Sequence, residues 1–169
     1  MWCIGILGGS GTWPDPEKKR RAETIIRGVL EMGGELLKGG TSALEVVETT
    51  IAQLEESGMF NAGSGSALNL IGKIEMDAGI MDGSILRAGG VTGVSNVKHP
   101  ISLARKIMEY TDHVIMAGKW AEKLAESTGI ETTKPTLMPS KLREYYNYKK
   151  RFIEGIYKLP KNIGFFKKY

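Results

Sequence analysis

From Ile74 to Ile80 every second residue is apolar (Ile74, Met76, Ala78, Ile80), with Glu75, Asp77 and Gly79 between them. A period of two marks a β-strand with one face in a core and the other turned away from it. Asp82-Gly83 follows, a strong two-residue hairpin signal, so "ILRAGGVTGV" is expected to return as a second strand. A one-faced hairpin obliges the rest of the chain to supply a cover. Helices on one side meet that need, but the second sheet face must also be covered if the layers are to be stable.

Helical patterns flank the hairpin. Asp15 is placed to cap a helix opening at Pro16, with Ile25, Ile26, Val29, Leu30, Leu36 and Leu37 on its inner side. Gly33 and Gly34 inside that helix cost about 1 kcal/mol each against alanine, so a close neighbour is expected there. Ser42 and Glu45 have capping-box spacing ahead of Leu44, Val47, Ile51 and Leu54, and Gly58 supplies the stop. Further on, "HPISLARKIMEY" reads as a helix opened by Pro100, "HVIMAG" as a strand and "KWAEKLAESTG" as a helix. At the start, "WCIGIL" reads as a buried strand entering a glycine turn, which makes Cys3 a buried structural thiol. A helix is expected around 140 to 154, and no regular structure after Pro160. The order suggests an α+β chain with helices on a largely antiparallel sheet.

Glycine is 22 of 169 residues, nearly twice its ordinary share of about 7%, and no short period organises it. Tight turns and close backbone approaches are implied, not a fibrous repeat. A single cysteine forms no internal disulfide and fits a reducing compartment. No apolar run has membrane-span length and the N-terminus lacks a basic leader, so a soluble cytoplasmic protein is expected. From Lys141 to Tyr169 there are nine Lys or Arg against two Glu, and eight of the 13 aromatic residues. Such a segment either binds single-stranded nucleic acid or packs its rings and solvates its lysines. The second reading is preferred, and nucleic acid is not the expected partner.

Chemistry is hard to find by residue type. "GILGGSGT" satisfies neither G-x-G-x-x-G nor a P-loop, and prolines displace the next helix from it. Glu75 and Asp77 share a strand face about 6.5–7 Å apart, but no further acid joins them. His99 and His113 have no ligand or triad companions, and His113, opening a strand, is expected to be structural. Removing Met1 would expose Trp2, which is no nucleophile. The loose stretch "FNAGSGSALN" between a helix and a strand therefore has no evident purpose from residue types alone.

A resemblance supplies one. "FNAGSGSALN", "GKIEMDAGIMDG", "RAGGVTGVSNVKHPISLARKIME" and "HVIMAGKWAEKLAESTG", in that order, resemble the plant-type asparaginase and isoaspartyl peptidase family of N-terminal-nucleophile hydrolases. The likeness runs nearly unbroken from Gly39 to Gly129. It implies a four-layer αββα sandwich, with residues 1–139 forming the α-subunit half and 140–169 a basic, aromatic-rich linker. It also implies a precursor that cuts itself before a threonine, so that the nucleophile opens a separate β chain and two αβ units assemble. The implied reaction is hydrolysis of β-aspartyl amides, in L-asparagine or isoaspartyl dipeptides, without an organic cofactor.

By the same resemblance Asn61 lies beside the nucleophile. A structural sodium ion would rest on backbone carbonyls of Leu54, Glu55, Ser57, Phe60, Ala62 and Ser64. The family's first strand ends in His-Gly-Gly-Ala-Gly, and Leu7 stands where the histidine is. "GTWPDP" is instead similar to the Thr-Trp-Pro of glycosylasparaginases, which implies Gly9 and Trp13 at the pocket wall. Glycosylasparaginase or taspase-like activity is the alternative within the class. A non-catalytic protein binding through its basic tail is the alternative outside it.

Overall fold

The computed structural model describes residues 1–9 and 13–155. The turn expected at residues 5–12 lies partly outside them, and the stretch after Pro160 wholly so.

Local chemistry sets the first two helices. α1 (Pro16–Lys38) starts where Asp15 Oδ1 accepts the N–H groups of Glu17 at 2.9 Å and Lys18 at 3.2 Å. α2 (Ala43–Glu56) starts where Ser42 Oγ accepts the Glu45 N–H at 3.3 Å. The two pack around Ala22, Val29, Leu54 and Phe60. Gly33 has the close neighbours its position implied: a Cβ there would stand 2.6 Å from Ile4 Cδ1 and 3.0 Å from Thr50 Cγ2.

β1 (Met76–Asp82) pairs antiparallel with β2 (Arg87–Val94), which pairs parallel with β3 (Ile115–Ala117). The three-stranded sheet is therefore mixed rather than largely antiparallel. His113 lies exposed in the loop before β3 rather than opening it. The hairpin also departs from the two-residue turn. Asp82 pairs with Arg87, leaving a four-residue loop from Gly83 to Leu86. Asp82 Oδ1 takes both the N–H of Ser84 at 2.8 Å and its hydroxyl at 2.6 Å, an Asx turn that competes with immediate reversal.

α3 (Pro100–Tyr110) and α4 (Gly118–Ser127) cover one sheet face. Met76, Ile80, Val91 and Val94 meet Leu103, Ile107 and Ala121 there. α3 comes close because β2 offers Gly89, whose missing side chain leaves room for the backbone at Ala104 and Met108. Leu103 is fully buried. Leu103→Ala should lower stability by about 2–5 kcal/mol, read as a shift in the urea midpoint with an unchanged slope.

The other face is different: Asp77, Gly79, Met81 and Thr92 are exposed. The segment before residue 9 shares this openness. Ile4, Ile6 and Gly8 turn toward the helices while Cys3, Gly5 and Leu7 are exposed, a strand's alternation. Yet among the described residues it has no partner strand. A ladder needs a neighbour to accept and donate, so the expected strand is an unpaired extended segment here. The same alternation corrects the expectation for Cys3, which is exposed.

α5 (Pro139–Ile153) buries no residue of its own but crosses the region between α2 and β1. Met138 packs on Gly58, the Tyr145 hydroxyl donates to the Leu70 carbonyl at 3.3 Å, and Glu144 pairs with Lys18 at 3.4 Å. Among the described residues no helix is long and apolar enough to cross a membrane.

Candidate functional site

α2 ends at Glu56, and the chain then coils back over the helix end before reaching β1. Two glycines make that coil possible. Gly63, at φ +53°, holds a conformation that L side chains rarely adopt, and a Cβ there would collide with the carbonyl and Cβ of Glu55. A Cβ at Gly65 would likewise collide with the carbonyls of Phe60 and Gly58. Gly63–Gly65 forms one 3-10 turn, with Gly65 N–H donating to Ala62 O at 3.0 Å.

Asn61 sits in this coil and is exposed. Its Oδ1 accepts the Ala67 N–H at 2.7 Å, which fixes the side chain and leaves the amide nitrogen as its donor end. Beside it, Phe60 is buried and meets Trp13 edge-on, with ring centroids 6.3 Å apart. Trp13 in turn covers Gly9, where a Cβ would stand 2.5 Å from the indole ring. Gly9, Trp13 and Phe60 thus pack in sequence, joining the chain start to the loop that carries Asn61.

The six carbonyls named from the sequence all belong to this coil or the last turn of α2. The Leu54 carbonyl accepts the Ser57 hydroxyl at 2.7 Å, and that of Ala62 accepts Gly65 N–H. Those of Glu55, Ser57, Phe60 and Ser64 accept no hydrogen bond among the described residues. Hard neutral oxygens with spare lone pairs suit an alkali or alkaline-earth cation. No cluster of three His, Cys, Asp or Glu able to hold a metal occurs among the described residues.

The acid pair does not work together. Glu75 Oε2 accepts from Asn69 at 2.8 Å, while Asp77 Oδ1 takes the Thr92 hydroxyl at 2.5 Å and the Gly93 N–H at 2.9 Å. The Thr92 hydroxyl and then the Gly93 amide hold the Asp77 carboxyl below the usual carboxylate range. A folded-state pKa below the unfolded one contributes stability above the ordinary aspartate value, and loses it as pH falls through the depressed value. The gap in melting temperature between wild type and Asp77→Asn should therefore be constant above about pH 5 and close in more acidic buffer.

Residue types alone passed over a second cluster. Glu55 is only 4% exposed. Its Oε1 accepts the Ile101 N–H at 3.2 Å, and its Oε2 lies 3.2 Å from His99 Nδ1. Burial pushes the Glu55 carboxyl above its usual range, against the opposing hydrogen bonds of His99 and Ile101. The Glu55 hydrogen bond raises the His99 imidazole. One local signal was available: Glu55 follows Leu54 and lies four residues after Ile51, an acid on the core-facing side of α2.

The family model described as "Asparaginase" matches residues 1–155. Over 97% of its length the chain is 41% identical to the plant-type L-asparaginase of Pyrococcus horikoshii, covering 53% of that protein. It is 45% identical to the plant-type L-asparaginase of Thermococcus kodakarensis, over 91% of the chain and 50% of the relative. With the isoaspartyl peptidase/L-asparaginase of Rattus norvegicus the identity is 39%, over 95% of the chain and 49% of the relative. The chain spans about half the length of the curated relatives it matches.

Proposed function

The chain belongs to the asparaginase family, and from that premise we propose that it forms the Asn61-bearing half of an amidohydrolase acting on β-aspartyl amide bonds. The substrates are L-asparagine, isoaspartyl dipeptides or both, the two activities for which its relatives are named. The observation that carries this reading is the anchored, exposed Asn61, its oxygen held by Ala67 N–H and its amide nitrogen left as a donor, one residue after the Phe60 on which Trp13 packs.

The nucleophile belongs to the half of the relatives' length that this chain does not span. A threonine exposed by self-cleavage carries its own base in its α-amine, so no histidine or acid pair is required of this chain. The threonine Oγ attacks the side-chain carbonyl, ammonia or an amino acid leaves, and water releases aspartate from the acyl-enzyme. Asn61 contributes an amide donor that orients the nucleophile. Gly9 and Trp13 wall the pocket, and Trp13 does so while meeting Phe60 edge-on. The carbonyls of Glu55, Ser57, Phe60 and Ser64, with those of Leu54 and Ala62, would hold a sodium ion, which would draw the coil's dipoles to one point. The open sheet face and the unpaired segment from Trp2 to Gly8 support a four-layer αββα sandwich, with the second sheet supplied by the β chain. Residues 1–139 are the body of this half, residues 140–169 lead toward the cleavage site, and the assembly is (αβ)2.

The full-length protein incubated with L-asparagine, with β-aspartyl-leucine and with glycosylasparagine tests the reading. Aspartate should form from the first, the second or both. Turnover of glycosylasparagine alone would move the assignment within the class, and turnover of none would remove it.

A further inference from the structure

We propose that the Glu55 carboxylate is a positioning residue for Asn61, tying the end of α2 to the start of α3 and so fixing where the coil presents the Asn61 amide. Its consequence for turnover rests on the amidohydrolase reading above, whereas its consequence for the coil does not.

α3 begins without a cap of its own. His99 makes no capping hydrogen bond with its side chain, and Pro100 has no N–H to offer. The first free amide, that of Ile101, is buried and is met by Glu55 Oε1 from 46 residues away in sequence. α3 is itself immobilised in the main core through Ile101, Leu103 and Ile107. Glu55 therefore joins the last turn of α2 to the helix that buries the most residues among those described. His99 is gripped from its other side as well, with Nε2 lying 3.2 Å from Glu56, and Lys98 linking Glu56 to Glu131.

The backbone of the same residue backs the coil, since Gly63 passes so near it that an added Cβ would collide with the Glu55 carbonyl and Cβ. One residue thus holds the core with its side chain and the coil with its main chain, and Asn61 lies two residues before Gly63. Stability alone does not account for a carboxylate here. Desolvating it costs several kcal/mol, and well-packed apolar residues commonly replace buried ion pairs at no loss. Leu54 and Ile51 already make the surroundings apolar. What a directional acceptor provides, and an apolar side chain does not, is a fixed placement, and misplacement by about 1 Å costs up to about 100-fold in rate.

The test compares Glu55→Met, Glu55→Gln and Arg105→Ala in the full-length protein. Met fills the volume without an acceptor, whereas Gln still accepts from Ile101 and donates to His99. Arg105 bridges Glu48 at 2.6 Å and Glu109 at 2.7 Å, joining α2 to α3 without touching Glu55. Two readouts are taken: hydrogen-exchange protection of the Ala67 amide, and kcat with KM on the better amide substrate. Glu55→Met should lower Ala67 protection about tenfold, leave α4 amides unchanged, and cut kcat about 10- to 100-fold with KM within about twofold. Glu55→Gln should restore both, and Arg105→Ala should lower the melting temperature while changing neither. The proposal is overturned if Glu55→Met matches wild type in protection, if it does not fold, if Gln fails to rescue, or if Arg105→Ala reproduces the loss. A wild type that hydrolyses no amide removes the functional reading instead, and the exchange result alone then decides the positioning role.

Discussion

Asn61→Ala should reduce kcat of the full-length protein by about 100-fold or more, the scale seen when one donor is removed from an active site. The fold should survive, because Asn61 is exposed and its Oδ1 accepts one hydrogen bond among the described residues, from Ala67 N–H. Losing that hydrogen bond costs about 1 kcal/mol, a few degrees in melting temperature. Asn61→Asp separates the two ends of the amide. The aspartate still accepts from Ala67 and keeps the coil, but offers a negative oxygen where the amide nitrogen stood. Activity should fall as far as in the alanine variant while thermal stability stays at the wild-type value. If either variant retains kcat within about threefold, Asn61 is only a turn residue and the site lies elsewhere.

The second large effect falls on stability. Gly63→Ala adds a methyl against the Glu55 carbonyl and forces an L side chain to φ +53°. Gly65→Ala drives a methyl into the Phe60 carbonyl. Neither obstacle is the far end of a flexible side chain, so relief requires the backbone to move. Each substitution should cost about 2–4 kcal/mol, combining overpacking with conformational strain. Gly83→Ala is the contrasting case, since a Cβ there meets nothing within 4 Å, and it should stay within about 1 kcal/mol of wild type. Urea unfolding of the three variants gives the comparison directly. If Gly63→Ala and Gly65→Ala unfold with Gly83→Ala, the coil is not held against α2 in solution.

Much of the fold was legible because its determinants are local. Asp15, Pro16, Ser42 and Pro100 each act within a few residues, and α1, α2 and α3 begin where they dictate. The alternation from Ile74 to Ile80 likewise needs no distant information, and Met76 and Ile80 are buried as it requires. Long-range pairing was less accessible. Nothing near Ile115 states that its neighbour will be Gly90 in parallel, and nothing in "WCIGIL" reveals whether a partner strand exists. Cys3 was misread for that reason: an apolar run signals burial only if something covers both faces. The hairpin failed for a local reason, because Asp82 spends its side chain on Ser84 before the chain reverses.

The site divides in the same way. Asn61 and the six carbonyls came from resemblance to a family, since an asparagine in a glycine-rich loop reads as a turn on chemical grounds. The Glu55, His99 and Ile101 cluster depends on a contact spanning 46 residues. Only an acid on the apolar side of α2 hinted at it.

In the proposed amidohydrolase this chain scaffolds a threonine nucleophile carried by a second chain cut from the same precursor. Intact mass combined with N-terminal sequencing of the purified full-length product tests it most directly. Two chains are expected, the second beginning with threonine. A single uncut chain, or a second chain opening on a residue with no nucleophilic side chain, would contradict it.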